Sequence, residues 1–202
     1  MRESCYRSSN KIIGPCGPCS FINLIGLKGS PKLERELQES GRMKPFYATN
    51  FTSFLVWAEK YKVGIRIFVE SVGIQPGTFK MMFKFEKILK EKQKQMKKLC
   101  FNRHKNILKR NEDKIFILKV DPIQKIDELL NQGYCVAFNM AHYVGRHNFL
   151  VGHLRVVYKR ERDFYFIKDS QKGIMKIPKK RIKEDLRNLK VMGSKQEIIA
   201  YK

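Results

Sequence analysis

Apolar residues recur at three- and four-residue steps early in this chain and alternate singly towards its end, a pattern that predicts helices first and a sheet later. Phe21, Ile22, Leu24, Ile25 and Leu27 leave little polar face and predict a buried helix after Gly17-Pro18, with Gly29 as its stop. Ser30-Pro31 opens a short polar helix closed by Gly41. Thr49 or Asn50 caps a third helix through Tyr61, with Phe54, Leu55, Trp57 and Ala58 for the core. Ile65 to Val69 and Ile115 to Val120 read as strands, and Asp121-Pro122 opens a helix that Gly133 ends. Strands follow at 134–140, 150–158, 164–168 and 174–177, with a polar loop at His142–Asn148. Pro178 starts a last basic helix, and Glu197–Tyr201 closes the sheet. Helices followed by antiparallel strands make the expected class α+β.

One stretch departs from this rhythm. From about 74 to 113, Met81, Phe85, Ile88, Leu89, Met96 and Leu99 fall at helical spacing among lysines, and Lys and Arg outnumber Asp and Glu roughly three to one. This predicts a basic amphipathic helix inserted into a single domain spanning 1–202. Such a helix is expected either to be solvated with one face packed on the core, or to form a binding surface or lid. The whole chain carries a formal net charge of +23, which draws nucleic acid or acidic protein partners, here through Lys80–Lys114, without specifying a fold.

A hydrophobic content of 43% in 202 residues supports a real core. No apolar run is long enough to span a membrane, and the N-terminus lacks the apolar segment of a secretory signal, so a cytoplasmic protein is expected. The odd set Cys5, Cys16, Cys19, Cys100 and Cys135 fits reduced thiols better than a disulfide framework. No second C-x-x-C accompanies Cys16 and Cys19, so neither a metal site nor a cofactor is expected. His142 and His147 read as loop histidines.

Three groups suggest chemistry. Cys16 stands where a turn feeds an apolar helix, and a cysteine there is biased towards thiolate by the helix dipole and unpaired N–H groups. His153 and Asp169 lie on two neighbouring predicted strands. A thiol nucleophile, an imidazole base and a carboxylate to fix the base's tautomer complete a triad. Gly17 leaves room for a substrate carbonyl, and the N–H of Cys16 can serve an oxyanion. The plainer accounts are that Cys16 and Cys19 are small core residues, or a redox pair.

These residues resemble a known family. CGPCSFINLIG is similar to the nucleophile helix of papain-like cysteine peptidases, particularly the bacteriocin-processing type that cleaves double-glycine leaders. Gly152-His153 leads to Asp169-Ser170 and then Gly173, and LLNQGYCVAFNM matches the family's helix, glycine and strand. The resemblance implies a papain-like fold and a cysteine peptidase or related amide hydrolase. Its triad would be Cys16, His153 and Asp169, its substrate a peptide or protein, and cleavage would fall beside small residues by analogy. An acyl or peptidyl transferase on the same fold is a further alternative. The family places glutamine six residues before the nucleophile to complete the oxyanion hole; here that residue is Asn10, and a lost donor costs about two to three orders of magnitude in rate. Ser170 stands where proline is common. GPCGPCSF also resembles the papain motif with the second cysteine as nucleophile, making Cys19 the alternative, with Ile13 at the glutamine position. A peptidase-like module without turnover, binding nucleic acid or an acidic partner through its basic insertion, is the alternative of another class.

Overall fold

The computed structural model describes residues 5–8, 16–44, 46, 49–73, 79, 83, 89–144, 149–191 and 194–202. Among these, six helices, α1 (Cys16–Ile25), α2 (Pro31–Gly41), α3 (Phe51–Tyr61), α4 (Lys90–Lys109), α5 (Pro122–Asn131) and α6 (Lys179–Val191), surround one sheet. The strands are β1 (Ile65–Val69), β2 (Ile115–Ile117), β3 (Cys135–Val144), β4 (Phe149–Glu161), β5 (Phe164–Asp169), β6 (Gly173–Pro178) and β7 (Glu197–Tyr201), in the order β2-β1-β7-β3-β4-β5-β6. All neighbours run antiparallel except β1 and β2, which are parallel. The sheet is therefore mixed, not wholly antiparallel as the sequence suggested. The chain leaves β1, passes through α4 and returns to the same end, which obliges β2 to run alongside β1.

Local chemistry explains the helix boundaries. Ser30 accepts from the N–H of Leu33 to start α2, and Asn50 with Ser53 forms a reciprocal capping box at α3. Helix α1 ends earlier than Gly29. Gly26 adopts φ +72°, and the N–H of Leu27 bonds back to the carbonyl of Ile22 at 3.0 Å, a Schellman ending. Strands β3 and β4 extend into the expected loop, so His142 lies within β3; His147 is outside the described residues. Strand β2 is shorter than expected, stopping at Ile117.

Alternation along the strands builds two cores. On one face, Cys135, Ala137, Leu154, Val156 and Ile199 meet Phe21, Phe54 and Trp57 of the first three helices. On the other, Val136, Phe138, Val157 and Ile198 meet Ile126 of α5 and Ile182 of α6. Phe21 is the main anchor of α1: its ring lies 5.3 Å from Trp57, 5.9 Å from Phe54 and 5.9 Å from Tyr61. Truncating such a ring costs about 3–5 kcal/mol, so the position of Cys16 is backed by substantial packing energy.

A basic helix lies within the lysine-rich stretch, but its buried face is not the one the apolar pattern suggested. It begins at Lys90 and continues to Lys109, with Cys100, His104 and Ile107 on its buried face, while Leu89 and Leu99 are exposed at 58% and 53%. Met81, Phe85 and Ile88 lie outside the described residues. The imidazole of His104 meets the hydroxyl of Thr52 at 3.3 Å, fastening α4 to α3, and burial pushes its pKa down to about 4.

Candidate active site

Cys16 is the first residue of α1, and Pro18 follows as a residue with no N–H to leave unpaired at a helix start. The positive end of the helix therefore sits at the sulfur. Ladder pairing between β4 and β5 reaches only Val156↔Lys168, and β5 ends at Asp169. Helix α1 takes over where that pairing stops. The hydroxyl of Ser20 donates to the carbonyl of Leu154 at 3.0 Å, and a backbone hydrogen bond from Leu154 reaches the sulfur of Cys16. Residues 16 and 20, one helical turn apart, thus occupy both peptide groups of one β4 residue, as a neighbouring strand would.

That docking brings Cys16 to His153, the residue preceding Leu154, and the thiol and imidazole share a hydrogen bond. The ring's Nε2 lies 2.9 Å from Asp169 Oδ2, which leaves Nδ1 for the sulfur. His153 is 5% exposed and Asp169 1% exposed, so the link is shielded from water. Cys16 keeps partial exposure.

The Asp169 carboxylate is saturated. Oδ2 also accepts from Arg155 Nε at 2.6 Å, and Oδ1 accepts from the N–H groups of Gln171 and Lys172 at 2.8 and 2.9 Å. The guanidinium of Arg155, itself 5% exposed, reaches Met140 Sδ at 3.1 Å with Nη1. Sequence reasoning passed over Arg155. The available signal was its position two residues after His153, on the same side of the strand, within a run from Leu150 to Val157 whose remaining members are apolar or glycine.

Electrostatics follow from these contacts. Burial alone would push the Cys16 thiol up, but the hydrogen bond and charge of His153, with backbone bonds from Leu154 and Gly17, bring it below the usual thiol range. Burial works against charge on His153 as well. The Asp169 hydrogen bond, then Cys16, overcome it and raise the imidazole to about 9. Asp169 is driven well below the carboxylate range despite its burial, through His153 and the two backbone N–H groups. These shifts bias the trio towards thiolate, imidazolium and carboxylate. The other four thiols shift the opposite way, each chiefly by burial: Cys5 and Cys19 upwards, Cys100 to about 12 and Cys135 to about 11.

Cys19 points elsewhere. It is 0% exposed, and beyond burial the Glu34 carboxylate of α2 raises it further. Glu34, 1% exposed, accepts from Tyr6 and Ser8 hydroxyls at 3.0 and 2.7 Å. Through these bonds residues 5–8 are strapped across the β5–β6 turn, where Ser8 N–H meets Ser170 O at 2.8 Å. Asn10, expected at the oxyanion hole, lies outside the described residues. Gly17 has a different use from the expected one: a Cβ there would lie 2.0 Å from Thr49 Oγ1, so Thr49 fills the space. Among the described residues, no group of three or more His, Cys, Asp or Glu is placed to hold a metal ion. No helix among them is long and apolar enough to cross a membrane.

No family model and no curated protein matches the chain. A crystal structure from Bacillus anthracis, proposed to be a C39-like peptidase, is similar at 15% identity and a TM-score of 0.29, covering 40% of this chain and 46% of that one. The match therefore spans less than half of the Bacillus anthracis protein.

Proposed function

We propose that this protein is a cysteine peptidase or related amide hydrolase of papain-like architecture, with Cys16 as nucleophile, His153 as acid and base, and Asp169 as the group that orients the imidazole. One observation carries the reading. The sulfur of Cys16 meets one side of an imidazole whose Nε2 is held 2.9 Å from a buried carboxylate, and Cys16 alone of the five thiols is shifted towards thiolate.

Starting from the thiolate–imidazolium pair, the sulfur attacks a peptide carbonyl carbon and the carbonyl oxygen takes the negative charge. Backbone N–H at the start of α1 receives that oxyanion, with Asn10 as the proposed second donor. As the tetrahedral adduct collapses, the C–N bond breaks and His153 gives its proton to the leaving amine. The product is an acyl thioester. Water then attacks it, His153 takes the water's proton, and the acid leaves as the thiolate is restored. An amine in place of water makes the same apparatus a transferase. Cys19 has no part in this scheme, because its burial and the nearby Glu34 both oppose ionisation.

Alkylation with iodoacetamide at pH 7, followed by peptide mass mapping, tests the reading. Cys16 is expected to react far faster than the other four thiols. In His153→Ala the thiol loses the partner that lowers it and rises towards its ordinary 9.0 or beyond, so labelling slows by up to about a hundredfold. Slow, even labelling of all thiols in the unmodified protein points instead to a peptidase-like module without turnover.

A further inference from the structure

The molecule carries one surface that the hydrolase reading leaves unused. At about 100° per residue, Lys90, Lys94, Lys97, Lys98, Lys105 and Lys109 of α4 fall within an arc of about 120°. All six are exposed, and the arc adjoins the buried side made by Cys100, His104 and Ile107, with Lys97 at its edge lying over the rings of Phe79 and Phe83. Glu91 is the only acid in the helix. Six lysines elsewhere, Lys60, Lys125, Lys159, Lys176, Lys179 and Lys190, each contact a carboxylate. Among the described residues, none of the six α4 lysines is in an ion pair.

This arrangement works against the helix in isolation. Lys90 with Lys94, Lys94 with Lys98 and Lys105 with Lys109 are like charges four residues apart, a spacing at which opposite charges stabilise and like charges destabilise. A polyanion laid along the face removes that repulsion and releases its own counterions as it binds. The face runs from Lys90 to Lys109, roughly 28 Å at 1.5 Å per residue, long enough to follow several phosphates. Phe101 lies in the middle of the lysine arc and is 45% exposed. An exposed ring between cations is a stacking platform for an unpaired base. Insertion into a lipid surface would need a continuous apolar face, and the exposed Leu99 and Phe101 point about 160° apart around the helix.

We propose that the exposed face of α4 binds single-stranded nucleic acid through its phosphodiester backbone, with Phe101 stacking on a base and without reading sequence. The hydrolase site plays no part in this contact.

The test is fluorescence anisotropy of the full-length protein with a labelled oligodeoxythymidine 20-mer. If four lysines contact phosphates, affinity should fall roughly fiftyfold between 50 and 200 mM salt. Lys94→Glu/Lys98→Glu/Lys105→Glu should abolish measurable binding. Lys180→Glu/Lys183→Glu/Arg187→Glu on α6, an equal change in net charge, should stay within threefold of the unmodified protein. Phe101→Ala should weaken binding at least about fivefold. All seven positions are exposed, and circular dichroism verifies that each variant is folded. Equal loss in both triple variants would reduce the effect to overall charge and overturn the proposal. So would binding to phosphatidylserine vesicles with no binding to the oligonucleotide.

Discussion

Changing Asp169 to Asn preserves the shape of the residue and removes its charge, and the surrounding hydrogen bonds dictate how the site responds. Gln171 and Lys172 present N–H groups to Oδ1 at 2.8 and 2.9 Å, so the amide oxygen must stay there. The amide nitrogen then takes the place of Oδ2, where His153 Nε2 lies at 2.9 Å and Arg155 Nε at 2.6 Å. Arg155 has only donors to offer, so donor meets donor. His153 can accommodate the change by baring Nε2, but its proton then sits on Nδ1, facing the sulfur it should deprotonate. Two magnitudes result. A buried guanidinium stripped of its carboxylate costs about 3–5 kcal/mol, which for a chain of this size lowers Tm by roughly 10 °C. With the imidazolium lost, Cys16 rises towards its ordinary 9.0 or beyond, so alkylation at pH 7 slows by up to about a hundredfold. The double variant Asp169→Asn/Arg155→Met separates the two effects: stability should return as the unpaired charge disappears, and reactivity should not. Calorimetry and iodoacetamide labelling read them independently. Labelling of Asp169→Asn within threefold of the unmodified rate would falsify the assigned role of the carboxylate, and an unchanged Tm would remove the Arg155 link.

Three further outcomes are expected. His153 should titrate near 9 in the folded protein against about 6.5 unfolded, so its proton stabilises the fold fully below about 6.5 and that contribution disappears as pH rises through 9; peptide hydrolysis should fall across the same limb, and an imidazole NMR midpoint near 6.5 would contradict this. Gly17→Ala drives a methyl to 2.0 Å from Thr49 Oγ1 and should cost about 1–3 kcal/mol in urea unfolding, with recovery in Gly17→Ala/Thr49→Gly and none expected if the clash is imaginary. Ser20→Ala strands the Leu154 carbonyl, with an expected loss of about 1–3 kcal/mol and slower Cys16 labelling, whereas unchanged labelling would mean that this bond does not seat the helix.

Much of the architecture was legible because local signals and burial agree. Asp121-Pro122, the Ser30 and Asn50 caps and the alternating residues of β5 each announced an element that the structure contains. Errors arose where two signals competed. Gly29 was expected to stop α1, but the bond from Leu27 to Ile22 ends it at Gly26 instead. In the lysine-rich stretch, Leu89 and Leu99 gave a plausible apolar stripe, but packing against α3 selected His104 and Ile107, and Cys100 joins Met43, Phe46, Phe79 and Phe83. The candidate trio was visible as residue types in order. Its supports were not, since Arg155 looks like an ordinary surface charge until its long-range bond to Asp169 buries it.

The double grip of α1 on Leu154 has a mechanical corollary. Because the sulfur and the ring are both referenced to a single peptide unit, helix and strand cannot slide past each other without breaking that grip. Breathing elsewhere in the sheet should leave the gap between the Cys16 sulfur and the His153 ring constant. Selective alkylation of Cys16 should therefore persist on warming almost to the melting transition and vanish with it, rather than fading gradually beforehand.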